Sequence, residues 1–349
     1  MTRDIIETQS PRDRSVLGNG RKPTISDIAR QAGVSVWTVS HVLNKSSLVT
    51  IKSATRELVQ DIATELGYRP NHAARALVGS KTNLAATWMN TRAEYSTYYG
   101  HMQHLLHKIA RSHRYHCITE DVILDEVNRG DFSNLLNWPV DGVIACDVSG
   151  PVEAFAKINP NKSLAVVNIG GWIVESVDSV KVDLEVGAIA AVRHLIDIGC
   201  KRIAYISDPP FDTRATAYSL VMREAGRREE IISTPADSRV SSRLALEMYV
   251  SLHGLPDGVF CKNDEVAIGV SQAVKNIGAK APDDIAIVGC DGIDDTEYQT
   301  PSISTLRVPA QAICEAAWDM LIRRTQEHDA PMQHQVFTPE LVVRESSRR

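Results

Sequence analysis

Residues 24–44, TISDIARQAGVSVWTVSHVLN, carry side chains whose types and spacing are suited to contacting DNA bases. Trp37 and His41 are four positions apart, so both lie on one face of a helix. Val39 and Val42 lie on the opposite face, where they can pack against another helix. An indole and an imidazole displayed away from the packing face can enter a major groove, where base edges offer hydrogen-bonding groups and methyls. A surface tryptophan on a small amphipathic helix pair is the alternative interpretation.

The surrounding pattern predicts the helix-turn-helix that positions these two side chains. The first helix has an apolar stripe at positions i, i+3, i+4 and i+7, formed by Ile25, Ile28, Ala29 and Ala32. Gly33 supplies a tight turn, and Ser35 is a suitable N-cap for the second helix. A third helix is expected over about residues 54–66.

Beyond residue 82, apolar runs alternate with helical patterns. The predicted strands are Leu84–Trp88, Val140–Ala145, Ser163–Ile169, Arg202–Ile206, Gly258–Cys261 and Asp284–Gly289, and the predicted helices include 98–112, 185–198, 240–252, 265–277 and 309–324. This alternation is typical of doubly wound parallel sheets, and its length predicts two lobes. Because such sheets bind ligands at the carboxyl ends of their strands, we expect a ligand in the cleft between the lobes.

The charge of the chain is unevenly distributed. The net charge is −5, but residues 1–81 hold 12 Lys/Arg and 7 Asp/Glu, while the remainder holds 26 against 36. A basic N-terminal part can bind DNA phosphates even though the whole chain is acidic. With 349 residues and 43% hydrophobic content, the chain can bury the cores of two or three domains.

The cellular setting follows from what the sequence lacks. The six cysteines are scattered without a CxxC pair, which favours reduced thiols and supports neither a zinc site nor a disulfide framework. No apolar run reaches the ~18 residues of a membrane helix. Residues 1–22 are polar and without the apolar core of a signal peptide, and we expect them to form a flexible tail. A cytoplasmic protein with no membrane partner is expected.

Residues 32–44 resemble A-G-V-S-x-x-T-V-S-R-V-L-N, the turn and recognition helix of the LacI/GalR (lactose/galactose repressor) family of transcription regulators. The resemblance continues through ELGYRPN at 65–71 and covers residues 23–345. It implies an N-terminal all-α helix-turn-helix head and an α/β periplasmic-binding-protein-like body of two doubly wound parallel-sheet lobes. The implied domains are a flexible tail (1–22), a helix-turn-helix DNA-binding domain (23–69), a hinge helix or linker (70–82) and an effector-binding and dimerisation domain (83–345). In the last of these, the N-lobe comprises about 83–181 and 309–332, and the C-lobe about 182–308 and 333–345.

The resemblance implies that Val36, Trp37 and His41 contact bases. The residues that it assigns to phosphate contacts, or to fixing the docked position, are Thr24, Ser35, Thr38, Ser40, Asn44 and Thr55. The family usually has arginine at the position of His41. Arginine binds guanine O6 and N7 with two donors whereas histidine offers one, so we expect an altered half-site preference, weaker binding and some pH sensitivity.

Residues 70–77, PNHAARAL, form a short helical pattern that opens with proline. Eight residues are too few for a stable isolated helix in water, so a linker is the plain interpretation. The resemblance implies instead a hinge helix that forms on the operator and inserts Leu77 into the minor groove, with Asn71, Ala74 and Arg75 lining the groove.

Three motifs of the C-terminal half resemble the effector-binding segments of the family: R-A-T-A-Y at 214–218, K-N-D-E-V-A-I-G at 262–269 and G-C-D-G-I at 289–293. The side chains that the resemblance assigns to the effector are Arg214, Asn263, Asp264 and Asp291. Tyr98 and Tyr99 can stack on a sugar or base face, and a plain wall or core position is the alternative for them. This set suits a polyhydroxylated or nitrogenous ligand. A helix cap or an interlobe salt bridge is the alternative for each polar residue, and Asp264 in particular could cap helix 265–277.

These features predict a ligand-responsive, sequence-specific DNA-binding transcription regulator, a repressor that binds a palindromic operator as a homodimer. The expected partners are double-stranded operator DNA and a small-molecule effector, namely a sugar, a sugar derivative or a nucleobase-like compound, without a cofactor or metal. A cytosolic small-molecule sensor with degenerate operator recognition is the alternative. An enzyme is not expected, because the sequence has no Walker lysine loop and no G-x-S-x-G elbow. The histidines at 101, 104 and 107 are interpreted as a solvated helix face.

Overall fold

The structure is a computed structural model in which the chain separates into two compact units, Met1–Val78 and Gly79–Arg349. We call the first unit the head and the second the body. The residues that the structure describes are 22–43, 50–69, 81–90, 96–133, 135–136, 138–159, 163–209 and 212–349. The division between the units falls within the segment 70–82 that the sequence predicts as a hinge or linker.

The described part of the head forms the three predicted helices. They are α1 (Ile25–Ala32), α2 (Val36–Leu43) and α3 (Ser53–Glu65). A capping box between Thr24 and Asp27 begins α1, and Gly33 ends it with a φ of +66°, a conformation that glycine adopts without strain. The side chains without exposed surface lie between the helices and include Ile28, Val39, Val42 and Val59. The apolar stripes of the sequence therefore form the core of the head.

The described part of the body alternates helices with strands. Its helices are α4 (Thr97–Ser112), α5 (Leu124–Asn128), α6 (Ser149–Ile158), α7 (Leu184–Asp197), α8 (Thr213–Glu224), α9 (Arg239–His253), α10 (Asp264–Asn276) and α11 (Ala310–Gln326). Its strands are β1 (Leu84–Asn90), β2 (His116–Val122), β3 (Gly142–Cys146), β4 (Ala165–Gly170), β5 (Asp178–Val182), β6 (Ile203–Ser207), β7 (Glu230–Ser233), β8 (Gly258–Cys261), β9 (Ala286–Asp291), β10 (Ser304–Arg307), β11 (His334–Phe337) and β12 (Glu340–Val342). The six predicted strands correspond to β1, β3, β4, β6, β8 and β9, and the five predicted helices are also present.

The strands form two six-stranded sheets. The order is β11-β5-β4-β3-β1-β2 in the first sheet, which defines the first lobe, and β12-β10-β9-β8-β6-β7 in the second sheet, which defines the second lobe. All strand pairs are parallel except β10 with β12. Parallel strands bring their carboxyl ends to one edge of a sheet, so the residues that end or follow β3, β4, β6, β8 and β9 lie at such edges.

One boundary that the sequence predicts for the lobes is wrong. Residues 333–345 are expected in the second lobe, but β11 pairs with β5 of the first sheet, with His334 opposite Ser179 and Phe337 opposite Val182. Only β12 joins the second sheet. Sheet membership depends on which strand edge a segment can hydrogen-bond, and a four-residue strand carries no sequence signal for that choice.

Candidate DNA-contacting face and effector cleft

Helix α2 displays the side chains that the sequence predicts to contact bases. Ser35 is its N-cap, because the Ser35 hydroxyl oxygen accepts a hydrogen bond from the backbone N–H of Thr38 at 3.1 Å. Val36 is 42% exposed and Trp37 is 54% exposed, whereas the two valines that face the core of the head have no exposed surface. The apolar packing of α2 therefore leaves Val36 and Trp37 accessible to a ligand.

Trp37 and His41 form one structural pair on this face. Nδ1 of His41 lies 2.9 Å from the backbone carbonyl oxygen of Trp37. The ring centroids are 4.0 Å apart, with an angle of 33° between the ring planes. Ser40, half-buried, precedes His41 on the same helix. Because the carbonyl holds one ring nitrogen and the indole covers one ring face, the orientation of the imidazole is restricted by α2 itself.

The other residues assigned to DNA fall into two groups. Thr24 donates its hydroxyl hydrogen to Oδ2 of Asp27 at 2.7 Å, so it stabilises the start of α1, and Thr55 lies half-buried in the first turn of α3. The residues that lie outside the described part of the chain, and whose contacts stay predictions, are Asn44, Asn71, Ala74, Arg75 and Leu77.

In the second lobe, Arg214 is fixed at the N terminus of α8 by three partners. Its Nε donates to Oδ2 of Asp212 at 2.9 Å, and Nη2 donates to the same oxygen. Its Nη1 donates to the backbone oxygen of Lys262 at 2.7 Å and lies 3.7 Å from Sγ of Cys290. Burial by itself would raise the pKa of Asp212, but the adjacent guanidinium lowers that pKa overall. Arg214 is thus ion-paired, with 11% of its side chain exposed.

Asn263 is the N-cap of α10. Its side-chain oxygen accepts a hydrogen bond from the backbone N–H of Val266 at 2.9 Å. The residue remains partly exposed, and no described residue accepts a hydrogen bond from its amide nitrogen. Asn263 therefore combines a structural role with donor capacity for a ligand.

Asp264 does not contact the cleft, so its predicted direct contact with an effector is wrong, and so is the alternative that it caps the helix. It has no exposed surface. Its oxygens accept hydrogen bonds from the backbone N–H groups of Gly292 and Ile293, at 2.7 and 2.9 Å, and from the hydroxyl of Thr305 at 2.7 Å. A Cβ at Gly289 would overlap an Asp264 oxygen, so glycine there leaves room for the carboxylate. Asp264 therefore holds the loop after β9 in place.

Asp291 ends β9 next to that loop. Its backbone φ is +123°, which is rare for a residue with a side chain. Burial in the cleft and the charge of Asp264 raise its pKa well above the ordinary value. Within the described ranges, no group donates a hydrogen bond to its carboxylate. A carboxylate held without donors is suited to accept hydrogen bonds from a ligand.

The first lobe contributes a carboxylate that the sequence analysis missed. Asp147 directly follows β3 and has a φ of +52°. Tyr99 donates its hydroxyl hydrogen to Oδ2 of Asp147 at 2.6 Å. Water reaches Asp147, yet desolvation by the surrounding protein raises its pKa. The position of Asp147 directly after a parallel strand is the signal that could have found it.

Tyr98 and Gly170 are neighbours of Asp147. Tyr98 packs against the apolar cores of both lobes, so it lies between them. Gly170 ends β4. A Cβ at this position would lie 2.6 Å from the hydroxyl of Ser149 and 3.6 Å from a carboxylate oxygen of Asp147. The space of a side chain at position 170 is therefore taken by Ser149.

Hydrogen bonds also join the two lobes directly. The backbone N–H and the hydroxyl of Thr97, at the start of α4, donate to Oε1 of Glu265, at the start of α10, at 3.2 and 2.7 Å. Arg239 lies 2.5 Å from the other oxygen of Glu265. Near Arg214, Lys262 pairs with Asp208 and Asp237, at 2.5 and 2.6 Å. The lobes thus meet through polar contacts between the start of α4 and the start of α10.

Neither a metal site nor a membrane-spanning helix is found in the part of the chain that the structure describes. No group of three or more His, Cys, Asp or Glu side chains is arranged to hold a metal ion there. None of the helices in those same ranges has the length and apolar character to cross a membrane.

Known proteins match both units. Residues 24–71 match the lacI family of bacterial regulatory proteins, and residues 192–347 match the periplasmic binding protein-like domain. YvdE, an uncharacterized HTH-type transcriptional regulator of Bacillus subtilis strain 168, is 30% identical over 329 residues, which are 93% of this chain and 99% of that protein. The chain belongs to the LacI family. This LacI-family regulator is also 28% identical over 333 residues to the ribose operon repressor of Halalkalibacterium halodurans, covering 93% of this chain and 97% of that protein.

A solved structure has the same architecture. The crystal structure of the lac repressor dimer bound to operator and the anti-inducer ONPF matches with a TM-score of 0.79 at 22% sequence identity, covering 94% of this chain and 99% of that chain. This likeness, together with the matched family, confirms the predicted fold class. Family membership confirms the predicted general function, which is that of a ligand-responsive DNA-binding transcription regulator.

Proposed function

We propose that this LacI-family regulator is a repressor that binds a palindromic operator as a homodimer, with an affinity set by a neutral, hydroxyl-rich effector between the lobes. The observation that carries the proposal is the electrostatic grouping of Asp147, Arg214 and Asp291, which come from both lobes and influence one another's ionisation. A ligand that contacts all three must bridge the lobes. It can therefore change the relation of the lobes to each other.

The ion pairs of the cleft favour an uncharged effector. Arg214 is already paired with Asp212, and Lys262 is already paired with two aspartates. Because these cations are already paired, Arg214 and Lys262 offer no free positive charge to a phosphate ester or a carboxylate, whereas Asp147 and Asp291 supply hydrogen-bond acceptors. Hydroxyl groups can donate to both carboxylates, and the rings of Tyr98 and Tyr99 can cover an apolar sugar face. A sugar or uncharged sugar derivative is the ligand that we propose.

Two measurements on the full-length protein test this function. Selection of bound duplexes from a random library, at about 0.15 M salt, is expected to enrich a palindrome. Neutral mono- and disaccharides are then screened for a rise in melting temperature and a change in affinity for that palindrome, beside their phosphate esters and free nucleobases. No enriched sequence would contradict operator binding, and a response confined to the esters or nucleobases would contradict the effector class.

For the homodimer we propose an apolar stripe on α9 as the contact surface. Val240, Leu244, Met248 and Leu252 recur every four residues and are 62%, 51%, 64% and 72% exposed. Residues at this spacing lie on one face of a helix, and an apolar face of four such side chains is costly to leave in water. A second copy of the same helix would cover it through a self-complementary, two-fold contact.

The stripe is tested by placing one charge on it. Met248→Asp is expected to convert the dimer to a monomer in analytical ultracentrifugation and to weaken operator binding, because one head alone contacts only a half-site. Ile158→Asp, at a residue that is 57% exposed at the end of α6, is the matched control and should leave the dimer intact. Dimers that persist in Met248→Asp would reject this surface.

We further propose that the protein acts by binding alone, without catalysis, and in the cytoplasm, where its operator DNA is found. The relatives described above are transcriptional regulators, which supports this view. Recovery of the effector chemically unchanged after prolonged incubation with the protein is the expected result, and conversion of the effector would contradict it.

A further inference from the structure

The hydrogen bond between His41 and Trp37 fixes where the proton of the neutral imidazole must be. The partner of Nδ1 is a backbone carbonyl oxygen at 2.9 Å. A carbonyl oxygen only accepts hydrogen bonds, so Nδ1 must carry the hydrogen. In a neutral imidazole with hydrogen on Nδ1, Nε2 has a lone pair and no hydrogen. Nε2 of neutral His41 is therefore an acceptor.

The geometry of α2 keeps the ring in this arrangement. Nε2 is the ring nitrogen farther from the backbone, and no described residue bonds to it. The Trp37 indole covers one face of the imidazole at a centroid distance of 4.0 Å. A flip of the ring would break the bond to the carbonyl. His41 thus reaches outward from the recognition helix with an acceptor, beside the exposed Trp37 side chain.

From this geometry we infer that His41 contacts the exocyclic amino group of cytosine or adenine in each half-site, and not guanine. In the major groove the base-edge donors are cytosine N4 and adenine N6, whereas guanine offers the acceptors O6 and N7. An acceptor on the protein must meet one of those donors. This inference rests on the proposed operator binding, and it differs from the sequence-based expectation that histidine offers one donor where arginine offers two.

The closing experiment combines variants with base analogues. Sequence selection is run with the full-length protein and with His41→Ala and His41→Arg, at about pH 8, at which imidazole groups are neutral. The position at which His41→Ala loses its preference identifies the base pair that His41 contacts. The protein with His41 should prefer the amino-bearing base there by about 3- to 10-fold, the range of one hydrogen bond. His41→Arg should shift the same position to guanine and leave the others unchanged.

At that position, the exocyclic amino group is then replaced by hydrogen, using purine for adenine or pyrimidin-2-one for cytosine. The replacement should weaken DNA binding by the protein with His41 by the same factor as the loss of preference. It should not affect DNA binding by His41→Ala, so the double-mutant cycle is specific for this contact. The ¹⁵N shifts of His41, assigned by comparison with His41→Ala, should give hydrogen on Nδ1.

Three results would overturn the inference: guanine preferred by the protein with His41, an analogue effect that persists in His41→Ala, or hydrogen on Nε2. Each of these can occur while a palindrome is still enriched, so the proposed repressor function would stand. If no sequence is enriched at all, operator binding fails, and the inference fails with it.

Discussion

The head and the body of this regulator hold their chemistry in opposite ways. The head displays exposed side chains from a single eight-residue helix, and the imidazole of His41 is held by the backbone of that same helix. The cleft of the body draws Asp147, Arg214 and Asp291 from segments far apart in the chain. Desolvation raises the pKa of both aspartates, whereas the pKa of Arg214 is raised by the adjacent Asp212 against the effect of desolvation. The comparison suggests that substitutions in the head change specificity with little effect on stability, whereas substitutions in the cleft affect both.

The largest effect is expected for Arg214→Ala. Removing the guanidinium leaves Asp212 without its ion-pair partner, and breaking a mostly buried pair costs about 3–5 kcal/mol. Chemical denaturation should show that loss, and calorimetry should show no effector binding. The double variant Arg214→Ala/Asp212→Asn should regain part of the stability but not the effector response. Unchanged stability of Arg214→Ala would contradict the expectation that substitutions in the cleft affect the stability of the body.

The stability of the body should also depend on pH through Asp264. Burial raises the pKa of Asp264 to about 7 in the folded protein, against about 3.9 for an unfolded chain. The folded state therefore binds the proton more tightly, so the stability from this group is present below pH 4 and is lost as the pH rises to about 7. Relative to Asp264→Asn, the free energy of unfolding should fall by roughly 2–4 kcal/mol over that range.

Denaturation curves of the two proteins at pH 4.5, 6 and 7.5 measure this difference. The amide oxygen introduced by Asp264→Asn can still accept hydrogen bonds from Gly292 and Ile293, so the variant is expected to fold. A difference that stays constant across these pH values would show that Asp264 is ionised throughout the range.

A smaller loss is expected for Gly289→Ala. The added methyl would overlap an oxygen of Asp264, and relieving such a clash costs about 1–3 kcal/mol. The control is Gly100→Ala, in α4, where the methyl meets nothing within 4 Å and alanine favours the helix. Thermal unfolding should separate the two variants in opposite directions. Equal melting temperatures would mean that the loop after β9 moves freely to make room.

The smallest effect on stability is expected for Trp37→Ala. This variant tests whether a substitution in the head changes specificity without changing stability. Because 54% of Trp37 is exposed, its removal should change the free energy of unfolding by less than about 0.5 kcal/mol. Its effect should instead be seen in the DNA sequences that the protein selects, with little change in the salt dependence of binding. An unaltered selected sequence would show that Trp37 contacts no base.

The parts predicted from sequence share a physical basis in local periodicity. The spacing of Ile28, Val39 and Val42 indicates which helix faces are buried, and the structure confirms this. An uninterrupted apolar run such as β3 predicts a strand buried on both faces. The placement of Trp37 and His41 on the face opposite the core follows from the same arithmetic of about 100° per residue.

The parts that escaped prediction depend on which segments meet. Asp147 has no motif of its own, and it joins the site only because β3 lies beside β4 and β1 with its carboxyl end at the cleft. The motif around Asp264 predicts a ligand contact, but backbone N–H groups of the loop after β9 donate hydrogen bonds to its carboxylate. Strand β11 belongs to the first lobe because its backbone pairs with β5.

The sequence by itself determined the helix-turn-helix, the alternation of strands and helices, the family, and the side chains that face outward on α2. Those properties depend on residues a few positions apart, so periodicity and motif spacing express them directly. The packing of distant segments instead decided which carboxylates lie near one another and which of them is buried as a support. These outcomes depend on desolvation and on individual hydrogen-bond partners, which are set by the packing of the chain in three dimensions.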